Sequence, residues 1–143
     1  IGGQGRDLLI GGHGADRIVG NEGDDLLIAG FTAFDYDYRP GATGILRHIH
    51  TEAISRIMRE WTSGNEFSTR IANLSGTGSG GVNNEYHFKT RGPDATVFND
   101  DAADTLTGAA GLDWFLFDDE KDRVTDVTDK DFADAVDLLL SDL

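Results

Sequence analysis

Asp7, Asp16 and Asp25 stand nine residues apart, and each closes a turn made largely of glycine. Residues 2–10 read GGQGRDLLI, residues 11–19 GGHGADRIV and residues 20–28 GNEGDDLLI. Glycine holds the first and fourth positions of each unit: Gly2 and Gly5, Gly11 and Gly14, Gly20 and Gly23. Gly3, Gly12 and Asn21 hold the second, and Glu22 adds a carboxylate at the third position of the third unit. A glycine-rich turn reaches backbone angles that side chains forbid, so several carbonyl oxygens can converge on one spot. The aspartate adds a carboxylate oxygen. Such a donor set is all hard oxygen, and calcium takes about six to eight oxygens in flexible geometry. One turn is too small to supply them; two stacked turns suffice.

The spacing returns roughly seventy residues later. The unit at residues 29–37, AGFTAFDYD, has Phe34 where the aspartate belongs and Asp35 one place late. Residues 99–107 (NDDAADTLT), 108–116 (GAAGLDWFL) and 117–125 (FDDEKDRVT) then put Asp104, Asp113 and Asp122 at the sixth position. Asn99 and Gly108 occupy first positions, with Asp101 and Ala110 at third positions. Asp100 and Asp101 offer side-chain oxygen where glycine is missing. If the roll resumes after a loop-out, Asp16 faces Asp104 across one ion, Asp25 faces Asp113 across another, and Asp7 stacks on Asp25.

These turns need elements to hold them. The three residues after each turn read as a short strand with an apolar side chain at the eighth position pointing inward: Leu9, Ile18, Leu27, Leu106, Phe115 and Val124. Successive units alternate sides. The expected fold is mainly β: a parallel β-roll of nonapeptide repeats, interrupted by a helical insertion and closed by a C-terminal cap. The boundaries are 1–30 for the first repeats, 31–95 for the insertion, 96–125 for the degenerate repeats and 126–143 for the cap. Such a core is thin. One buried aliphatic per repeat is worth roughly 1.5–3 kcal/mol, against about 1–2 kcal/mol of backbone entropy for each residue ordered. Cation binding must offset the difference, so folding and binding should be coupled.

Within the insertion, Leu46, Ile49, Ala53, Ile54, Ile57, Met58 and Trp61 fall at helical intervals, predicting a helix over 44–62 with Thr43 as a cap. A shorter helix is expected over 66–74, and YHFKT and ATVF read as strands leading back to the repeats. The closing segment reads either as a helix through Phe132, Ala135, Val136, Leu139 and Leu143, capped by Asp129 or Asp131, or as an edge strand around Val136–Leu139. Gly76, Gly78 and Gly81 match GxGxxG but follow a helix instead of a strand, which is wrong for a dinucleotide turn. His48 and His50 are two apart and face different ways on a helix. Ser79 lies in TGSGG, not in a nucleophile elbow. No catalytic residue is assigned, and the chain is not expected to be an enzyme.

Composition narrows the classes further. Without cysteine there is no disulfide or thiolate site. The formal charge is -14, with 14 acids against 3 bases in residues 99–143. That field opposes nucleic-acid phosphates and attracts cations. No stretch approaches the ~20 apolar residues of a membrane span, and no signal-peptide pattern opens the sequence. Ile1 begins mid-repeat, so the sequence reads as a piece of a longer chain, with upstream domains as expected partners.

The opening units resemble the RTX, or haemolysin-type calcium-binding, family of bacterial secreted proteins. LLIAGFTAFDYD, REWTSGNEFSTRIANL and TVFNDDAADTLTGAAGLDWFLFD look like a composite C-terminal module of large bacterial surface or extracellular RTX proteins. The tail, with Asp137, Leu138, Leu139 and Leu140, is similar to the closing segment that accompanies type I secretion. The resemblance implies Ca2+ as cofactor, a secreted or cell-surface location, and a chain that stays unfolded in low cytosolic calcium and folds outside. About two to five ions are expected. Two alternatives differ in class: a calcium-dependent glycan- or surface-binding, adhesin-like module using Trp61, Tyr36, Tyr38 and Tyr86, and the RTX tail of a secreted hydrolase.

Overall fold

The structure is a computed structural model that describes residues 1–37, 46–47 and 49–136. The chain forms two compact units, one of Ile1–Phe31 with Phe98–Leu143 and one of Thr32–Val97. Its strands are β1 (Leu8–Ile10), β2 (Arg17–Asn21), β3 (Leu26–Ile28), β4 (Phe31–Thr32), β5 (Tyr36–Asp37), β6 (Leu46–Arg47), β7 (Val97–Phe98), β8 (Thr105–Ala109), β9 (Trp114–Phe117), β10 (Arg123–Val124) and β11 (Phe132–Ala135). The helices are α1 (Thr51–Trp61) and α2 (Phe67–Ser75).

A six-residue turn plus three extended residues makes one course of nine, and consecutive courses go to different sheets. In the first unit β1, β3, β9 and β11 form one sheet in that order, and β10, β8 and β2 form another. Every pairing in these two sheets is parallel. Leu9 pairs with Leu27, two courses on. Ile18 pairs with Leu106 and Leu27 with Phe115, so the register runs across the insertion as if residues 29–98 were absent. Eighth-position side chains fill the interior: Ile18, Leu27, Leu106 and Phe115 are buried, with Leu9 and Val124 packed against them.

The core is larger than one aliphatic per course. Leu26, Ile28, Trp114 and Leu116, on the opposite face of β3 and β9, are also fully buried. The chain end also differs from its helical reading. Phe132–Ala135 pairs in parallel with Trp114–Phe117, because the nine-residue period continues and places this segment beside β9. Residues 137–143, including Asp137–Leu140 of the expected secretion-type tail, lie outside the described residues.

In the second unit α1 begins at Thr51, later than the periodicity predicts. Leu46–Arg47 pairs antiparallel with Tyr36–Asp37, which holds those residues extended. Thr43 lies outside the described residues. His50 is the N-cap, with no side-chain capping bond. Ala53, Ile57 and Trp61 form the buried stripe of α1 at spacings of four. YHFKT is irregular instead of a strand: Phe88 is buried, its N–H donates to the Leu74 carbonyl at 2.6 Å, and Lys89 N–H is taken by Thr96 Oγ1 at 2.9 Å. Of ATVF only Val97–Phe98 is extended.

Candidate metal centre

The N–H of each turn's aspartate is capped by the carboxylate of the aspartate two courses on. The Asp7 N–H donates to Asp25 Oδ1 at 2.9 Å, Asp25 N–H to Asp113 Oδ1 at 3.0 Å and Asp113 N–H to Asp131 Oδ1 at 2.9 Å. On the other side Asp16 N–H donates to Asp104 Oδ1 at 2.6 Å, and Asp104 N–H to Asp122 Oδ1 at 2.8 Å. The carbonyls of Asp7, Asp25 and Asp113 accept the N–H of Leu26, Trp114 and Phe132. Two continuous aspartate ladders result, and the sequence pairs Asp16–Asp104 and Asp25–Asp113 are rungs of them.

The rungs differ in what is left over. Asp7 Oδ2 accepts the Gly3 N–H at 3.0 Å. Asp122 Oδ2 accepts the Asp118 N–H at 2.8 Å, and Asp131 Oδ2 accepts the Thr128 N–H at 3.0 Å. Those rungs are satisfied by the chain. By contrast, Oδ2 of Asp16, Asp25 and Asp104 is buried with no hydrogen-bond partner, as is Oδ2 of Asp100. A buried carboxylate oxygen without a donor is costly unless a cation or proton meets it. Burial raises the pKa of Asp25 to about 6. It raises those of Asp104 and Asp113 to about 7, with repulsion from the stacked aspartates adding to the effect. Asp16, Asp100 and Asp122 are also raised, chiefly by burial.

Glycine at the first position makes room for the second carboxylate oxygen. A Cβ on Gly2 would lie 2.6 Å from Asp7 Oδ2 and one on Gly11 3.0 Å from Asp16 Oδ2, while Cβ atoms on Gly20 and Gly108 would collide with Asp25 and Asp113 Oδ2. At the fourth position Gly23 (φ 105°) sits on the Gly5 carbonyl, and Gly111 (φ 104°) on that of Gly23. Asn21 (φ 80°) and Ala109 (φ 67°) adopt the left-handed region at the second position despite their side chains.

These residues fit a calcium ion. The orphaned oxygens are hard, and a Cβ on Gly11 would meet both Asp16 Oδ2 and the Ala29 carbonyl, as one on Gly20 would meet both Asp25 Oδ2 and the Gly108 carbonyl. Among the described residues no three His, Asp or Glu side chains converge as a ligand cluster. The late turns depart from the expectation in detail. Asp101 is exposed and ion-paired with Lys121 at 2.5 Å, while Asp100 carries the buried oxygen. Asn99 is buried, and its Oδ1 accepts the Asp101 N–H at 2.8 Å, a local turn contact. Ala110 N–H donates to the Asn21 carbonyl at 2.9 Å, and Glu22 N–H to that of Gly3 at 3.0 Å. Gly12 N–H donates to the Gly30 carbonyl at 2.8 Å, and Gly14 N–H reaches Asp100. Sequence reasoning missed Asp131 as a rung, although it lies nine residues beyond Asp122. It also missed Asp24 and Asp126, which take the N–H groups of Leu112 and Gly108.

In the second unit, Trp61 is unsuited to the ligand platform envisaged for it. It is fully buried, with the Arg70 guanidinium 4.6 Å above its ring. Tyr38 lies outside the described residues.

Residues 1–31 match the family model described as RTX calcium-binding nonapeptide repeat (4 copies). Repeats of this family bind Ca2+ and are typical of secreted proteins. No curated protein and no solved structure matches the chain. No helix among the described residues is long and apolar enough to cross a membrane.

Proposed function

We propose that this chain is a non-enzymatic, calcium-folded β-roll module of a larger extracellular or cell-surface protein, whose secretion and stability it supports. The observation that carries the reading is the set of buried, partnerless Oδ2 atoms on Asp16, Asp25 and Asp104. Calcium, when bound, supplies the positive charge that those carboxylates lack. Asp16 with Asp104 would hold one ion, and Asp25 with Asp113 another, each completed by turn carbonyls. The chain's own part is to hold Oδ1 of Asp25, Asp104 and Asp113 on the N–H groups of Asp7, Asp16 and Asp25, which leaves the second oxygen of each to face the turn. Without a cation these carboxylates resist burial, so the repeats stay open where calcium is scarce and close where it reaches millimolar levels.

Far-ultraviolet circular dichroism tests this. In chelator the strand signal should be weak and should grow on titrating calcium to saturation. Magnesium at equal concentration should do much less, since it demands near-octahedral geometry and sheds water reluctantly. Superimposable spectra in chelator and in calcium would overturn the proposal.

A further inference from the structure

We infer that the 32–97 unit folds without calcium and, by closing the chain between the two halves of the repeat unit, sets how much calcium the rungs across it require; this rests on the calcium-folding reading above. The two units satisfy their buried charges differently. Glu60 is fully buried, yet its carboxylate accepts Asn65 Nδ2 at 2.9 Å, Asn73 Nδ2 at 3.1 Å and Val82 N–H at 3.1 Å. Arg70, 2% exposed, donates to the carbonyls of Asn65 at 3.0 Å and Trp61 at 3.2 Å. Asp35 Oδ1 takes the N–H and hydroxyl of Thr32, each at 2.6 Å. Around this network Ile57, Trp61, Leu74 and Phe88 form an apolar interior. Among the described residues every orphaned buried carboxylate oxygen, on Asp16, Asp25, Asp100 and Asp104, lies in the repeat unit.

Three of the four orphaned oxygens belong to aspartates that meet across the insertion. Asp16–Asp104 and Asp25–Asp113 join residues 88 apart in sequence, whereas Asp7–Asp25 and Asp104–Asp122 join residues 18 apart. Closing an unfolded loop carries an entropy that grows as (3/2)RT ln n. The insertion's own ends are already tied, with Ala33 N–H donating to the Thr96 carbonyl at 2.8 Å. Folded, it acts as a link of a few residues; unfolded, it is a loop of about 66. The ratio lowers the closure equilibrium by about 70-fold. Spread over two to five cooperatively bound ions, that raises the calcium midpoint by roughly two- to eightfold.

Hydrogen exchange on the full chain, read by mass spectrometry, tests the order of folding. In chelator, peptides within 51–75 should be protected, while peptides within 17–28 and 104–117 exchange as unfolded chain and gain protection only with calcium. The double variant Ile57→Ala/Leu74→Ala, which empties two fully buried positions of the insertion, should lose protection over 51–75 and show the raised midpoint in the repeat peptides. If 51–75 is unprotected in chelator and gains protection at the same midpoint as the repeats, the inference fails while calcium-coupled folding stands. If the variant loses 51–75 protection and the repeat midpoint does not move, the closing role fails. Protection everywhere in chelator, indifferent to calcium, overturns the calcium-folding reading itself.

Discussion

Replacing Asp25 with asparagine should change the sign of its effect with calcium. Asp25 is an interior rung: its Oδ1 holds the Asp7 N–H, its own N–H is held by Asp113, and its Oδ2 is buried without a partner. Asparagine keeps an oxygen for the Asp7 N–H and removes the charge. In chelator near pH 8 the variant should be as stable as the wild type or more so, since an ionised carboxylate no longer has to be buried. In calcium it should be less stable. A site filled at one hundred times its dissociation constant contributes about 2.7 kcal/mol. Asp25 borders two gaps between turns, so the loss lies between about 2.7 and about 5.4 kcal/mol at that saturation. Asp7→Asn is the control. Asp7 borders one gap and its Oδ2 is already held by Gly3, so it should lose only about 1 kcal/mol, one hydrogen bond's worth. Urea unfolding of the three proteins in saturating calcium, and the strand signal of each in chelator, measure the two effects. Equal losses for the two variants in calcium, or the same loss for Asp25→Asn in both buffers, would refute the reasoning.

Acid should partly replace calcium. Asp25 near 6 and Asp104 and Asp113 near 7 have folded pKa values above the ordinary 3.8. Their favourable contribution is therefore complete at about pH 4 and is lost as pH rises through 6 to 7. In chelator the circular-dichroism strand signal should be stronger at pH 5 than at pH 8, and the calcium midpoint should fall as pH rises. A substitution pair probes the turns. Ala109→Gly relieves a left-handed alanine and should stabilise the calcium form by roughly 0.5–1 kcal/mol. Gly23→Ala drives a methyl into the Gly5 carbonyl and should abolish calcium-dependent folding at millimolar calcium, both read by thermal melts.

Much of the repeat unit was legible because its rule is local. A fixed period of nine fixes the turn, the strand and the direction of the eighth side chain. Once courses alternate, partners must lie two courses away, which is why Asp16 with Asp104 and Asp25 with Asp113 followed from counting alone. The same period reaches Asp131, where helical spacing of the apolar residues around it had suggested a cap. Elsewhere periodicity misled. Leu46 shares the helical rhythm of Ile57 and Trp61 but is held extended by pairing with Tyr36–Asp37, a contact between segments that no local pattern encodes.

By itself the sequence determined the chemistry: hard oxygen donors at a fixed period of nine, and a negative field. Only the tertiary structure decided which carboxylates are left wanting. Asp7, Asp122 and Asp131 carry the same side chain as Asp25 and Asp104, yet their second oxygens find N–H groups in Gly3, Asp118 and Thr128. Whether an oxygen is satisfied depends on the donors that folding brings to it, and those contacts do not repeat with the sequence.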